Sequence, residues 1–330
     1  MRWNRLACIV GMLSVLAAPT PSWGMGFYMR TPTLRETAAE SKIVILCTVE
    51  QVHDVAGGGV TVFRVTHALK SHRILGNRKL LEVPRLIEQA PNGPSHFLLF
   101  ADVEKGQLDV FRGLPVTPAM GEYLQGLLAI NAKDRIRQLR YCFDYLEHAD
   151  EEIARDAHRE FSQSTDCEVA AAAKVVSPRK LRAWLKNPKA GSHHLSLYGL
   201  LLGHCGSARD GVLLGQLVRK RMRSSSSTGN GILTGYVLLN PRDGWIYLRE
   251  LLQETETFYV RYSSLRTIHY LHDRRPDVIP QKDLIAALTL LLEQKDFTDL
   301  VIDDLRKWHC WGLSGLSLIH ISEPTRQAEI

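Results

Sequence analysis

Across residues 133–163 the apolar positions fall into two stripes at helical spacing. Ile136, Leu139, Tyr141, Cys142, Phe143, Tyr145 and Leu146 recur every three or four positions and predict one buried helix face over 134–148. Asp150 predicts a new start. As an N-cap it accepts from the free amides of the next turn, and Glu151 and Glu152 suit the positive helix end. Ile153, Ala154, Ala157 and Phe161 then carry the second stripe. Two such helices joined by Glu147, His148 and Ala149 make a hairpin that cannot bury both faces alone, so further hairpins are expected to stack on it.

The pattern continues downstream. Helices are expected over 119–130, with Thr117 as cap and Pro118 at the first helical position, then over 167–176 and 179–186 behind Ser177 and Pro178. Further helical segments are 195–204, ended by Gly206, 210–223, 232–239 and 244–253 about Pro241, 258–272, 281–293 and 297–311. Residues 224–231 are flexible by composition. Short turns and no strands predict an α-solenoid of HEAT-like helical hairpins over 117–312.

Upstream the period changes to two. Ile43, Ile45, Cys47 and Val49 alternate within 42–53, Gly57, Gly58 and Gly59 make a turn, and 60–69 returns as a second strand. Residues 79–83, 95–103 and 107–111 predict three more strands, the last after a turn at Glu104, Lys105 and Gly106. Pro84, Pro91, Gly93 and Pro94 make the connection between 83 and 95 irregular. Five strands without a long helix predict a small antiparallel β barrel or sandwich over 33–115. An OB-like barrel is favoured over a curved meander packed on the helices. Thr33 and Glu36 have the spacing of a capping box for a helical turn within 33–41.

At the N-terminus, Arg2 and Arg5 precede an apolar run, 6–18, too short to cross a bilayer, and Ser22 and Gly24 follow at a cleavable position. Residues 1–24 are therefore read as a signal peptide, with the mature chain periplasmic or secreted from a bacterium. No later run is apolar for the roughly 20 residues a span requires. With 330 residues, 45% of them hydrophobic, the chain suffices for about two domains. Its net charge of +6 loses two with Arg2 and Arg5, too mild an excess to indicate a nucleic-acid partner. Cys47, Cys142, Cys167, Cys205 and Cys310 form an odd, sparse set that allows at most two disulfides. No CxxC spacing supports structural zinc, haem attachment or dithiol redox chemistry. Residues 316–330 resemble translated sequencing-adapter read-through, so a non-native tail is expected after about Gly312.

The candidate chemistry is sparse. His193 and His194 open a helix that His204 and Cys205 close, but His193 and His204 would lie roughly 16 Å apart along it, too far to share a metal. Asp156 and Glu160 share a face beside Arg155 and Arg159. The expected role is inter-repeat pairing, a buried carboxylate accepting from the backbone of the next hairpin. Arg219, Lys220, Arg221 and Arg223 make a basic run near a helix end, where the dipole favours them; an acidic surface, polysaccharide or phosphate is the alternative partner. Asp299, Asp303, Asp304, Arg306, Trp308 and Trp311 are expected in a terminal hairpin, with the tryptophans in its core. GxSxG, Walker, HExxH, GxGxxG and EF-hand patterns are absent. No catalytic, cofactor-binding or metal-ligating residue is assigned.

The strand pair 43–49 with 60–70, the run Phe97, Leu98, Leu99 and Phe100, and the segments 156–161, 198–203 and 303–308 carry a resemblance. Over about 25–312 the chain resembles the exported HEAT-repeat proteins of unknown function found in planctomycete-type bacteria, and its β part is similar in hydrophobic pattern to netrin/TIMP-type barrels. The resemblance implies export and a two-part fold, with no catalytic residue and no cofactor. The expected function is non-catalytic: binding or scaffolding of a protein or other envelope component on the helical array. The alternative is an envelope hydrolase with a site where the β part meets the array, on the Asp156 and Glu160 face.

Overall fold

The computed structural model describes residues 30–55, 58–84, 96–188, 190–222, 230–253 and 255–310. The chain divides into two units, Met1–Pro32 and Thr33–Ile330. In the first, the described residues 30–32 form neither helix nor strand. The expected signal peptide, the tail at 316–330, Trp311 and most of the serine-rich loop lie outside the described residues.

The larger unit opens with α1 (Leu34–Glu40), held by a complete capping box between Thr33 and Glu36. Among the described residues five strands follow: β1 (Ile43–Val55), β2 (Gly58–Lys70), β3 (Leu80–Val83), β4 (His96–Glu104) and β5 (Gln107–Val116). They pair antiparallel in the order β3-β2-β1-β4-β5 and curl as a half barrel. β1 lies at the centre and is buried on both faces. Ile43, Ile45 and Cys47 join Phe63, Leu81, Val83, Phe97 and Leu99 in a core inside the curl. Val44 and Leu46, with Leu98 and Phe100 of β4, face the helices. The uninterrupted apolar runs of β1 and β4 follow from this double burial, since a strand covered on two sides has no polar alternate positions. The expected link at 114–118 is shorter than predicted. β5 continues through Pro115, which an edge strand tolerates because one side of it needs no ladder donor.

Among the described residues twelve helices follow the sheet: α2 (Ala119–Leu128), α3 (Arg135–Phe143), α4 (Glu151–Ser162), α5 (Asp166–Ala173), α6 (Pro178–Lys186), α7 (Ser192–Cys205), α8 (Ala208–Met222), α9 (Asn230–Leu239), α10 (Pro241–Glu250), α11 (Phe258–Arg274), α12 (Gln281–Leu292) and α13 (Thr298–Lys307). Local caps set many of the starts. Asp150 accepts from the amides of Glu152 and Ile153, Thr165 and Glu168 close a capping box, and Ser177 caps a helix with Pro178 in its first turn. Thr117 does not cap α2; its hydroxyl donates instead to Asp150, so it joins the β5–α2 corner to the start of α4. The helices α3, α5, α7, α9 and α11 pack in succession, while α6, α8, α10 and α12 lie against members of that row. Sheet and helices share one hydrophobic core running from Leu34 and Val44 to Val301 and Leu305.

Two features of this core were not legible as apolar periodicity. Ile136, expected in the buried stripe, is 42% exposed. The inward position one turn before Leu139 belongs to Arg135, whose guanidinium reaches Glu160. The second feature is the crossing of α7 and α9, where backbone meets backbone. A Cβ on Gly203 would lie 2.4 Å from Gly235 Cα, and one on Gly235 would lie 2.2 Å from the Gly199 carbonyl oxygen. Only the absent side chains allow this approach.

Replacing Gly235 by Ala should therefore destabilise the protein by about 2–3 kcal/mol even though alanine is intrinsically better in a helix by about 1 kcal/mol. Gly191→Ala, whose added Cβ would meet nothing within 4 Å, serves as the control for steric clash and should cost no more than about 1 kcal/mol at its N-cap position. Urea unfolding monitored by circular dichroism measures both; equal midpoints for the two variants would mean the crossing is not that tight.

Candidate functional site

Asp156 and Glu160, one turn apart on α4, are 1% and 0% exposed. Asp156 Oδ1 accepts from the Leu34 amide at 2.8 Å, at the free N-terminal end of α1, and Oδ2 accepts from the Tyr123 hydroxyl at 2.9 Å. Glu160 receives Arg35 Nε at 3.1 Å and the Arg135 guanidinium. The pairing is of the expected kind, a buried carboxylate taking a backbone donor, but the donor belongs to α1 ahead of the sheet and not to the next hairpin. Burial pushes the Asp156 carboxyl up to about 6, against the pull of its two donors. A cavity of about 110 Å³ adjoins it, lined by Leu34, Arg112, Met120 and Arg159 among others. Both Asp156 oxygens and both Glu160 oxygens already accept from protein donors.

A second cluster joins residues that sequence spacing kept apart. Glu147 sits in the turn before α4, His158 is on α4, and His194 is in the first turn of α7; each offers a ligand atom within 4.8 Å of the other two. The two imidazoles stack with centroids 3.7 Å apart and planes 11° from parallel. His158 Nε2 lies 3.1 Å from the Leu146 carbonyl and 3.2 Å from the Tyr198 hydroxyl, which in turn donates to Glu147. Burial first, and then the neighbouring His194, holds His158 down to about 4; burial also lowers His194. Both rings are neutral at pH 7 and have lone pairs to offer. An open cavity of about 380 Å³ lies over them, bordered also by His148, Glu151 and Arg155.

A third feature is a polar groove of about 310 Å³ that crosses four helices of the packed row. Asp166 of α5, Ser196 and Leu200 of α7, Asn230 and Thr234 of α9, and Arg266, His269, Tyr270 and Asp273 of α11 line it. Side-chain bonds lock its floor. The Ser196 hydroxyl accepts from the Gly231 amide at 3.0 Å and donates to Asn230 at 2.9 Å, and the Thr234 and Thr267 hydroxyls meet at 3.1 Å.

The other sequence candidates disperse. His193 is exposed, whereas His204 bonds the Tyr270 hydroxyl far along α7, so those two share no site. Arg219 lies over the Tyr236 and Tyr247 rings, 4.5 Å from the latter, while Met222 is buried, so the basic run winds around α8. Asp304 accepts from His269 Nε2 at 2.6 Å, Trp308 stacks on His272 at 3.7 Å, and Asp303 pairs with Arg306 and Lys307. Among the described residues Cys47, Cys142, Cys167, Cys205 and Cys310 are all free. Cys47 and Cys142 lie in different cores, and burial pushes the Cys47 thiol up to about 12.

The titrations have opposing signs. His158 in the folded chain titrates near 4, below its unfolded value of 6.5, so its contribution to stability is full above 6.5 and is lost as pH falls through 4. Asp156 titrates near 6 in place of 3.8, so its contribution is full below 3.8 and is lost as pH rises through 6. A His158→Gln variant, which keeps a donor for the Leu146 carbonyl, should lose less stability than the parent between pH 7 and pH 4.5. Urea midpoints at the two pH values measure this; parallel losses would show that His158 is not held neutral by the fold.

No protein-family model, curated protein or solved structure matches this chain, so the geometry of these surfaces carries the functional reading.

Proposed function

We propose that the protein is a non-catalytic binding protein, and that the groove across α5, α7, α9 and α11 receives an extended segment of a protein partner. The observation that carries this is the placement of polar side chains from four successive helices along one continuous concave strip. Stacked hairpins make such strips because each repeat presents the same face in turn, and the row α3-α5-α7-α9-α11 packs in that manner. This supports reading the helical part as a HEAT-like array. The strand order β3-β2-β1-β4-β5 supports reading the sheet as an OB-like barrel left open between β3 and β5. Mixed charge in the groove, Arg266 beside Asp166 and Asp273, suits a peptide carrying both signs better than a polyanion.

Export to a bacterial envelope belongs to the same proposal. It rests on the sequence features of residues 1–24 and on the resemblance to exported planctomycete-type HEAT-repeat proteins. Among the described residues no helix is long and apolar enough to cross a membrane. The alternative, a hydrolase using Asp156 and Glu160, gains little support from oxygens that are already bonded to α1, Tyr123 and two arginines.

Reversing two exposed groove charges, Arg266→Glu with Asp273→Lys, tests the reading. The parent protein should retain one partner from an envelope extract at physiological salt. The double variant should retain at least about tenfold less while unfolding at the same temperature. Equal recovery by parent and variant, or hydrolysis of an envelope polymer by both, would overturn the groove as the working surface.

A further inference from the structure

We propose that Glu147, His158 and His194 form a binding site for a divalent transition-metal ion, zinc above all, with one coordination position left open to the cavity beside them. The cluster is separate from the groove and shares no lining residue with it. Two imidazoles and a carboxylate are the donor set of three-ligand zinc centres, in which a fourth position stays available to water or another ligand. Hard cations such as calcium or magnesium would find one carboxylate here and too few oxygens.

The surroundings match this role. Tyr198, itself buried, donates to Glu147 and touches His158 Nε2, and the Leu146 carbonyl holds the same ring. Such outer partners orient metal ligands and fix which ring nitrogen is free. The present spacing is that of an open site. The donor atoms lie up to 4.8 Å apart, with His194 Nδ1 3.8 Å from Glu147 Oε1. A tetrahedral ion with bonds of about 2.0–2.1 Å draws its donors to roughly 3.4 Å. The parallel rings must also tilt, since stacked imidazoles point their lone pairs side by side. His194, half exposed in the first turn of α7, and Glu147, in a turn outside the helices, supply that movement, while His158 stays anchored.

Zinc titrated by calorimetry into the full chain, purified without a histidine tag, should bind at one equivalent with a dissociation constant in the micromolar range or tighter. Glu147→Gln and His194→Ala should each weaken it by at least about tenfold. His193→Ala, one residue away and exposed, should leave it unchanged. Cobalt in place of zinc should give the intense visible absorption of a four-coordinate ion in the parent protein and lose it in His194→Ala. Glu147→Gln keeps an acceptor for Tyr198, so it reports on the site even if the histidine variant folds poorly. The proposal is overturned if the parent shows no one-to-one isotherm, or if binding survives at full strength in Glu147→Gln or follows His193.

Discussion

Two carboxylates buried on α4 hold the parts of this molecule in register. Asp156 closes the open amide end of α1 and takes the Tyr123 hydroxyl of α2, and Glu160 gathers Arg35 from α1 and Arg135 from α3. A single helix turn thus fixes the segment before the sheet, the first helix after it and the first hairpin. Charges with so little solvent persist only when donors surround them, and stripping one partner leaves the other exposed to the full cost of desolvation. Arg112 of β5 adds a tie by donating to Thr37 at 2.9 Å, so the edge of the sheet is bound to the same helix.

From that anchor the rest propagates by packing. The half barrel turns one face inward on Phe63 and Phe97 and lends the other, through Val44, Leu46, Leu98 and Phe100, to α1 and α2. Further along, α7 and α9 approach until glycine faces glycine, and that close crossing sets the floor of the polar groove. The two surfaces with chemical character arise on opposite uses of α7: its first turn carries His194 to the cluster on α4, and Ser196, two residues on and on the other side of the helix, locks α9 beneath the groove.

The contrast between the two carboxyl-bearing clusters explains their assignments. Around Asp156 and Glu160 every oxygen has a protein donor, which is what a structural tie requires. Around Glu147, His158 and His194 the bonds are fewer, one side opens to a cavity, and the Leu146 carbonyl and the Tyr198 hydroxyl both fall on one imidazole nitrogen, His158 Nε2. Incomplete pairing beside open space is where a ligand gains most, because it satisfies groups the fold left partly unmet.

Much of the secondary structure was legible locally. Thr33 with Glu36, Asp150, and Ser177 before Pro178 announce helix starts, because a cap acts within one turn and needs only its neighbours in sequence. The alternation of Ile43, Ile45 and Cys47 likewise marks one strand face. What tertiary structure alone decided was which distant groups meet. The second buried face of β1, the displacement of Ile136 by Arg135, the release of Thr117 from capping to bond Asp150, and the gathering of Glu147, His158 and His194 depend on how helices cross. Spacing along the chain placed His194 beside His193 and far from His158. Packing of α7 on its neighbours reversed that, since a crossing angle and a glycine contact are properties of two surfaces together and of neither sequence segment by itself.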